Sequence, residues 1–328
     1  MALVILGLMH EGEYHGHVRG RFDATVIVNR QLCREHFLLR LRIAGRFPPS
    51  APGQFVQLLC CRPDLVEQRT SSELSELYQE AAFLRRPFSL AGRMEVDGHT
   101  EVEVIHRVVG VGTRWLEQLG AGNAVDLIGP LGNSFSLAAD KSLALMVGGG
   151  VGLPPMFYLA EQLSKASWEA IAFVGARTHD LLAVSFDEQI TPAKDGEPTL
   201  CVREFSQFHY PTVIHTEDGT QGAGGLITSG LGAQLEKLSA TQRSQAVIFT
   251  CGPHAMMQSV AQLAQQFAVD CQACMEQVMA CGMGTCQSCV VRIEETATPQ
   301  ATTAAGRPWC YRLACSDGPV FDAKQVVW

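Results

Sequence analysis

The sequence predicts a multidomain protein: an antiparallel β-barrel, then an α/β unit with a parallel sheet, then a small cysteine-rich C-terminal unit. Short apolar runs separated by Gly, Pro, Asn and Asp fill the first third of the chain. Strand, turn and helix alternate through the middle, and regular patterning then gives way to closely spaced cysteines. A length of 328 residues exceeds what one core usually serves, which agrees with two or three domains.

The barrel is expected over 21–138. Its strands are "DATVIVN", "EHFLLRLRI", "GQFVQLL", "FSLAGR", "EVEVIHRVV" and "AVDLIGP", with no long helix between most of them. The exception is "DLVEQRTSSELSELYQEAAFL", residues 64–84, where Leu74, Leu77, Tyr78 and Ala81 recur at helical spacing and predict an amphipathic insertion. "GPLGNSF", residues 129–135, has the composition of a linker. The α/β unit is expected over 139–268, from "SLALMVGGGVGLPPMFYLAEQLSK", "EAIAFVGAR" and "QAVIFTCGPHAMMQSVAQLAQQF". The cysteine-rich unit is expected over 269–328, with a surface loop at 296–308.

Bulk properties narrow the function. A net charge of −8, with no long run of like charge, argues against nucleic acid and anionic membranes as partners. No uninterrupted apolar segment has transmembrane length, and Ala2 to Met9 lack a basic flank, so the expectation is a cytoplasmic protein with reduced thiols.

In "ACGMGTCQSCVV", Cys281, Cys286 and Cys289 follow C-x4-C-x2-C, the plant-type ferredoxin spacing for a 2Fe-2S centre. Gly282 and Gly284 let the loop curl until its N–H groups point at the sulfurs. The fourth thiolate is expected from Cys315, where an acidic Gly-Pro turn follows, with Cys310 as the alternative. Zinc also accepts four thiolates, although zinc modules usually pair cysteines as two knuckles rather than placing three in one loop. Cys271 and Cys274, and likewise Cys33, Cys60, Cys61 and Cys201, read as apolar packing.

Gly150, Gly152 and Pro155 lie between an apolar strand and a helix, where a pyrophosphate can approach backbone N–H groups. Cys251 ends another strand at a Gly-Pro turn, where a nicotinamide could lie. In "RRPFSL", Arg86 can pair with a pyrophosphate, while Phe88 and Ser89 can meet a flavin. Gly110, Gly112 and Thr113 open a short helix and form a second phosphate loop. Each motif alone suits an ordinary turn or strand; in this order they make a flavin site.

With "RVVGVGTRWL", "GGGVGLPPM", "HTEDGTQGAGGLIT", "CGPHAMM", "MEQVMACGMGTCQSCVV" and "CSDGPVFDAKQVVW", the chain resembles the ferredoxin-reductase-like electron-transfer subunit of two-subunit dihydroorotate dehydrogenase. The resemblance spans residues 24–328. It implies a FAD-binding barrel, an NAD(H)-binding α/β domain and a 2Fe-2S domain, partnered by an FMN-containing dihydroorotate dehydrogenase catalytic subunit in a hetero-oligomer. It carries FAD contact to Arg86, Pro87, Phe88 and Ser89, and the nicotinamide frame to Gly150, Gly152, Pro155, Cys251, Gly252 and Pro253. Glu217, Asp218 and Gly219 would stand beside the nucleotide. The cluster ligands fall on Cys281, Cys286, Cys289 and Cys315. No residue is assigned as a catalytic acid or base. Two other readings are an NAD(P)H reductase serving ferredoxin or a sulfur-reducing or hydrogenase partner, and a zinc-stabilised nucleotide-binding module without electron transfer.

Overall fold

A computed structural model describes residues 19–61, 84–294 and 309–328. The expected insertion at 64–84, apart from Leu84, and the expected loop at 296–308 lie outside the described residues.

Six antiparallel strands close into a barrel: β1 (Gly20–Cys33), β2 (His36–Ile43), β3 (Phe55–Leu58), β4 (Arg86–Val96), β5 (His99–Arg107) and β6 (Ala124–Leu131). Their order around the barrel is β1-β2-β5-β4-β3-β6. Alternation sets which face is inward: Leu39, Leu41 and Ile43 of β2 meet Val102 and Val104 of β5 in the barrel core. The β4–β5 hairpin turns at Asp97 and Gly98, both at positive φ, the turn chemistry that an Asp-Gly pair favours. Helix α1 (Val111–Glu117) lies between β5 and β6 in the chain.

The second unit is built on a seven-stranded sheet, order β10-β9-β8-β7-β11-β12-β15. The strands are β7 (Leu143–Gly149), β8 (Glu169–Ala176), β9 (Thr212–Thr216), β10 (Ala223–Gly224), β11 (Ala246–Cys251), β12 (Asp270–Cys274) and β15 (Val320–Asp322). All neighbouring pairs are parallel except β12 with β15. β7 is apolar throughout because both its faces are covered: Leu145 and Val147 enter one core, Ala144 and Met146 the other. Helix α2 (Leu153–Lys165) fills the second core with Met156, Leu159 and Leu163. Helices α3 (Ile227–Lys237) and α4 (His254–Phe267) fill the first with Leu231, Leu235 and Val260.

Two boundary expectations meet a different arrangement. The boundary at 268/269 falls inside one continuous sheet, because β12 and β15 extend it. Cys271 and Ala273 enter the first core there, cysteine behaving as a small hydrophobe. The linker at 129–135 begins inside β6, where a Cβ on Gly129 would stand 2.7 Å from Val56 Cγ1. Beyond this sheet β13 (Val290–Glu294) and β14 (Trp309–Leu313) form a hairpin. No helix among the described residues is long and apolar enough to cross a membrane.

His106 on β5 makes acid stability predictable. Its ring stacks on Phe37 at 5.7 Å and meets Phe88 edge-on at 6.2 Å, and neither nitrogen has a partner among the described residues. Burial pushes its pKa from 6.5 down to about 4. Between those values the unfolded chain holds a proton that the folded chain refuses. Stability is therefore complete above pH 6.5 and falls as the pH drops toward 4, by about 3 kcal/mol at most. Urea unfolding at pH 7 and pH 4.5 should show this loss in the parent and a much smaller one in His106→Phe. An equal loss in both would remove His106 as its source.

Candidate cofactor sites

The cysteine loop connects β12 to β13 without regular structure, and Gly282 and Gly284 take φ values of 67 and 86. These left-handed residues turn successive amides inward. Met283 N and Cys286 N each donate to Cys281 Sγ at 3.4 Å, and Gly284 N donates to Cys315 Sγ at 3.1 Å. Cys289 and Cys315 are buried, Cys281 is half-buried and Cys286 is exposed. Cys310 lies elsewhere, on β14 opposite Ile293.

The sulfurs form two pairs. Cys286 lies by Cys281, and its thiol is drawn down to about 6, chiefly by the Ser288 hydroxyl at 3.2 Å. Cys315 lies by Cys289, and burial followed by that neighbour pushes it up to about 12. Among the described residues no group of three His, Cys, Asp or Glu side chains is placed to hold a metal ion. Two thiol pairs, with amides aimed at their sulfurs, fit a binuclear cluster that takes four thiolates and carries negative charge.

This loop is seated on the barrel. A Cβ on Gly282 would lie 2.5 Å from Gln57 Nε2, and Gln57 pairs in register with Pro87. Asn133 fastens the C-terminal turn from the same side. Its Nδ2 donates to Asp317 O at 3.0 Å and Val320 O at 2.8 Å, and its Oδ1 accepts from Val320 N at 2.8 Å. Sequence patterning singles out neither residue, because each acts only once two distant segments meet.

Arg86, Pro87, Phe88 and Ser89 lie together on β4. Arg85 is committed to buried Asp126 at 2.6 Å, which Arg21 also reaches. Arg86 instead bonds the carbonyls of Leu84 and Arg85, so its charge stays uncompensated by an acid among the described residues. An available guanidinium beside a half-buried aromatic ring fits a flavin nucleotide. At the start of α1 the Thr113 hydroxyl accepts from Val109 N at 2.9 Å and Gly110 N at 3.1 Å. It therefore shapes the loop that opens α1, while Gly112 is buried within the helix.

A cavity of about 320 Å³ opens at the carboxyl end of the parallel strands. Gly149 and Gly150 form one side, and Pro253 and Thr228 bring in the starts of α4 and α3. Neither helix start has a side-chain cap, so unpaired N–H groups and two dipoles favour an anion. Arg177 and Glu217 stand at the rim. Asp218 turns away, its carboxylate accepting from Thr220 N and Oγ1 at 3.0 and 2.7 Å. Gly219 follows in the same turn at φ 72.

Behind the cavity two turns interlock. A Cβ on Gly152 would sit 2.1 Å from Cys251 O, and one on Gly252 would sit 2.9 Å from Gly149 O. Pro155 is buried in the first turn of α2 and supports the loop from below. Cys251 is buried against Cys274, and that contact, then burial, raises its pKa well above the ordinary thiol range. Cys274 Sγ in turn lies 3.8 Å from Gly53 O of the barrel.

The barrel, the cavity at the strand ends and the thiol loop together define an electron-transfer protein with the ferredoxin-reductase fold. Residues 276–327 match the iron-sulfur cluster binding domain of dihydroorotate dehydrogenase B, and residues 146–262 match the oxidoreductase NAD-binding domain. The chain is 32% identical to the dihydroorotate dehydrogenase B (NAD(+)) electron transfer subunit of Bacillus caldolyticus, covering 94% of this chain and 99% of that protein. It is 33% identical to the same subunit of Geobacillus sp. (strain WCH70), over 92% and 97%. It belongs to the family of dihydroorotate dehydrogenase B electron transfer subunits. The structure of an NADH-dependent reduced ferredoxin-NADP oxidoreductase shares the fold, with a TM-score of 0.67 at 22% identity over 93% of this chain and 90% of that one.

Proposed function

We propose that this chain relays electrons between NAD(H) and a catalytic dihydroorotate dehydrogenase subunit, through FAD and a 2Fe-2S cluster, in pyrimidine biosynthesis. The observation that carries this reading is the seat of the thiol loop against Gln57, whose register partner Pro87 lies on the candidate flavin strand. Arg86, Pro87, Phe88 and Ser89 would hold FAD, with Gly110, Gly112 and Thr113 shaping its phosphate loop. Gly150, Gly152, Pro155, Cys251, Gly252 and Pro253 would frame the nicotinamide end. Cys281, Cys286, Cys289 and Cys315 would hold the cluster; the amide of Gly284 on the Cys315 sulfur supports Cys315 over Cys310.

FAD supplies exchange of a hydride with nicotinamide and of single electrons with the cluster. The chain's own part is placement and charge. Helix starts and glycine turns hold the dinucleotide phosphates, and the Met283, Gly284 and Cys286 amides stabilise charge on sulfur. The two buried turns exclude water behind the cavity. The partner subunit, with FMN as its cofactor, would meet the exposed edge of the loop at Met283 and Cys286. Residues 21–138 and 139–268 would be the FAD and NAD(H) regions, and 269–328 the cluster region, with β12 and β15 of the last completing the NAD(H) sheet. The proposed setting is the cytoplasm, where ligand thiols stay reduced.

Purification without oxygen tests the reading. The expected preparation carries flavin and iron, both absorption bands bleach on adding NADH, and a dihydroorotate-oxidising subunit co-purifies. Stoichiometric zinc without iron, or a bleached flavin beside a cluster that NADH never reduces, would defeat it.

A further inference from the structure

The nucleotide cavity has a wall that belongs to the barrel, made by His36 and Arg107. These two are register partners where β2 begins and β5 ends. Beside them the β1–β2 hairpin turns through Arg34 and Glu35, and Glu35 takes φ 66, a left-handed conformation that suits glycine or asparagine better. Its contacts account for a glutamate there. The Glu35 carbonyl accepts from Val108 N at 2.7 Å, and its carboxylate accepts from Arg107 Nε at 2.9 Å and pairs with Arg107 Nη2 at 2.8 Å.

That fork occupies one edge of the guanidinium and leaves Nη1 available to a ligand. The hairpin is also fastened to the sheet unit, since Arg34 N donates to Asp180 O at 2.9 Å and Arg34 Nε pairs with Asp180 at 3.0 Å. Arg107 is therefore held in place relative to the cavity. Next to it, His36 engages Arg34 O through Nδ1 at 2.9 Å, and its buried Nε2 has no partner among the described residues. The opposite wall offers a phosphate backbone amides, helix dipoles, the Thr228 and Ser259 hydroxyls and one further guanidinium, Arg177, which shares the rim with the Glu217 carboxylate. Amides leave the outer oxygens of a pyrophosphate without a counter-charge, and a guanidinium fork matches them in shape and sign.

We infer that Arg107, oriented by Glu35, binds the pyrophosphate of the pyridine dinucleotide, so that the NAD(H) site is built across both units. The inference rests on reading the cavity as the NAD(H) site. FAD carries the same chemical group, and Arg107 leads directly into the loop before α1, so the test separates the two nucleotides.

The test uses the full-length protein loaded with FAD and cluster, following flavin reduction by NADH in stopped flow. Arg107→Gln is expected to raise the NADH Kd about 10- to 100-fold, with FAD content unchanged. The limiting reduction rate should stay near the parent value, as for loss of uniform binding. Arg107→Lys should recover part of the affinity. Glu35→Gln, which keeps the guanidinium but loosens its hold, should weaken NADH about two- to fivefold, and it carries the test if Arg107→Gln does not fold. Unchanged NADH dependence in Arg107→Gln would overturn the inference, as would loss of FAD with NADH affinity intact in the remaining holoprotein. Failure of NADH to reduce the parent flavin would overturn the cavity assignment itself.

Discussion

Cys315→Ala is expected to lose its iron and its cluster absorption while retaining FAD and the bleaching of flavin by NADH. Electron delivery to an external one-electron acceptor should fall more than about 100-fold, since changes to groups merely supporting metal ligands already cost 10- to 100-fold. The reason lies in the local pairing. Cys315 stands beside buried Cys289, and the Gly284 amide at 3.1 Å is aimed at its sulfur. Without that thiolate one iron would be left with a single cysteine. Cys310→Ala is the control: Cys310 lies on β14 opposite Ile293, and its loss should leave the iron content unchanged. Iron analysis and visible spectra of the two variants decide the matter. Iron retained in Cys315→Ala and lost in Cys310→Ala would reverse the ligand assignment.

Gly152→Ala should be among the most damaging small substitutions in the nucleotide unit. The added methyl would meet Cys251 O at 2.1 Å, Cys251 C at 2.3 Å and Gly252 N at 2.5 Å, all backbone atoms that no rotamer change can move. Relief requires the Cys251–Pro253 turn to shift, and overpacking of this kind costs about 1–3 kcal/mol or more. The expected outcome is a lowered Tm and at least a tenfold loss of NADH affinity, with the cluster spectrum preserved. Gly150→Ala offers a contrast. Its φ is 56 but nothing lies within 4 Å, so only conformational strain of about 1–2 kcal/mol should be felt. Thermal melts and NADH titrations of both variants would test the ranking, and a milder effect at Gly152 than at Gly150 would contradict the interlocked turns.

Much of the fold is legible in the chain because local rules act on it. The alternation in "EHFLLRLRI", the Asp97-Gly98 hairpin and the doubly covered run of β7 each follow from side-chain period or turn chemistry. The cysteine-rich end was harder to read. Cys271 and Cys274 pack as the small apolar residues their pattern suggests, but that β12 and β15 join the parallel sheet and that β13 and β14 form a hairpin is not marked by any regular period there. Among the candidate site residues, Gly150 and Pro253 line the cavity, whereas Gly152 and Pro155 brace it from behind. A glycine motif specifies where a backbone can come close to something, and says nothing about whether that something is a ligand or another turn.

By itself the sequence determined the order of the three regions and the C-x4-C-x2-C spacing that gathers three thiols on one loop, because both depend on contacts between near neighbours in the chain. Only the tertiary structure decided that β12 and β15 complete the nucleotide sheet, that Gln57 meets the thiol loop while Asn133 fastens the C-terminal turn, and that His36 and Arg107, the latter held by Glu35, wall the cavity. Each of these depends on surfaces brought together from segments far apart along the chain. Burial and hydrogen-bond complementarity select such meetings, and residue spacing carries no record of them.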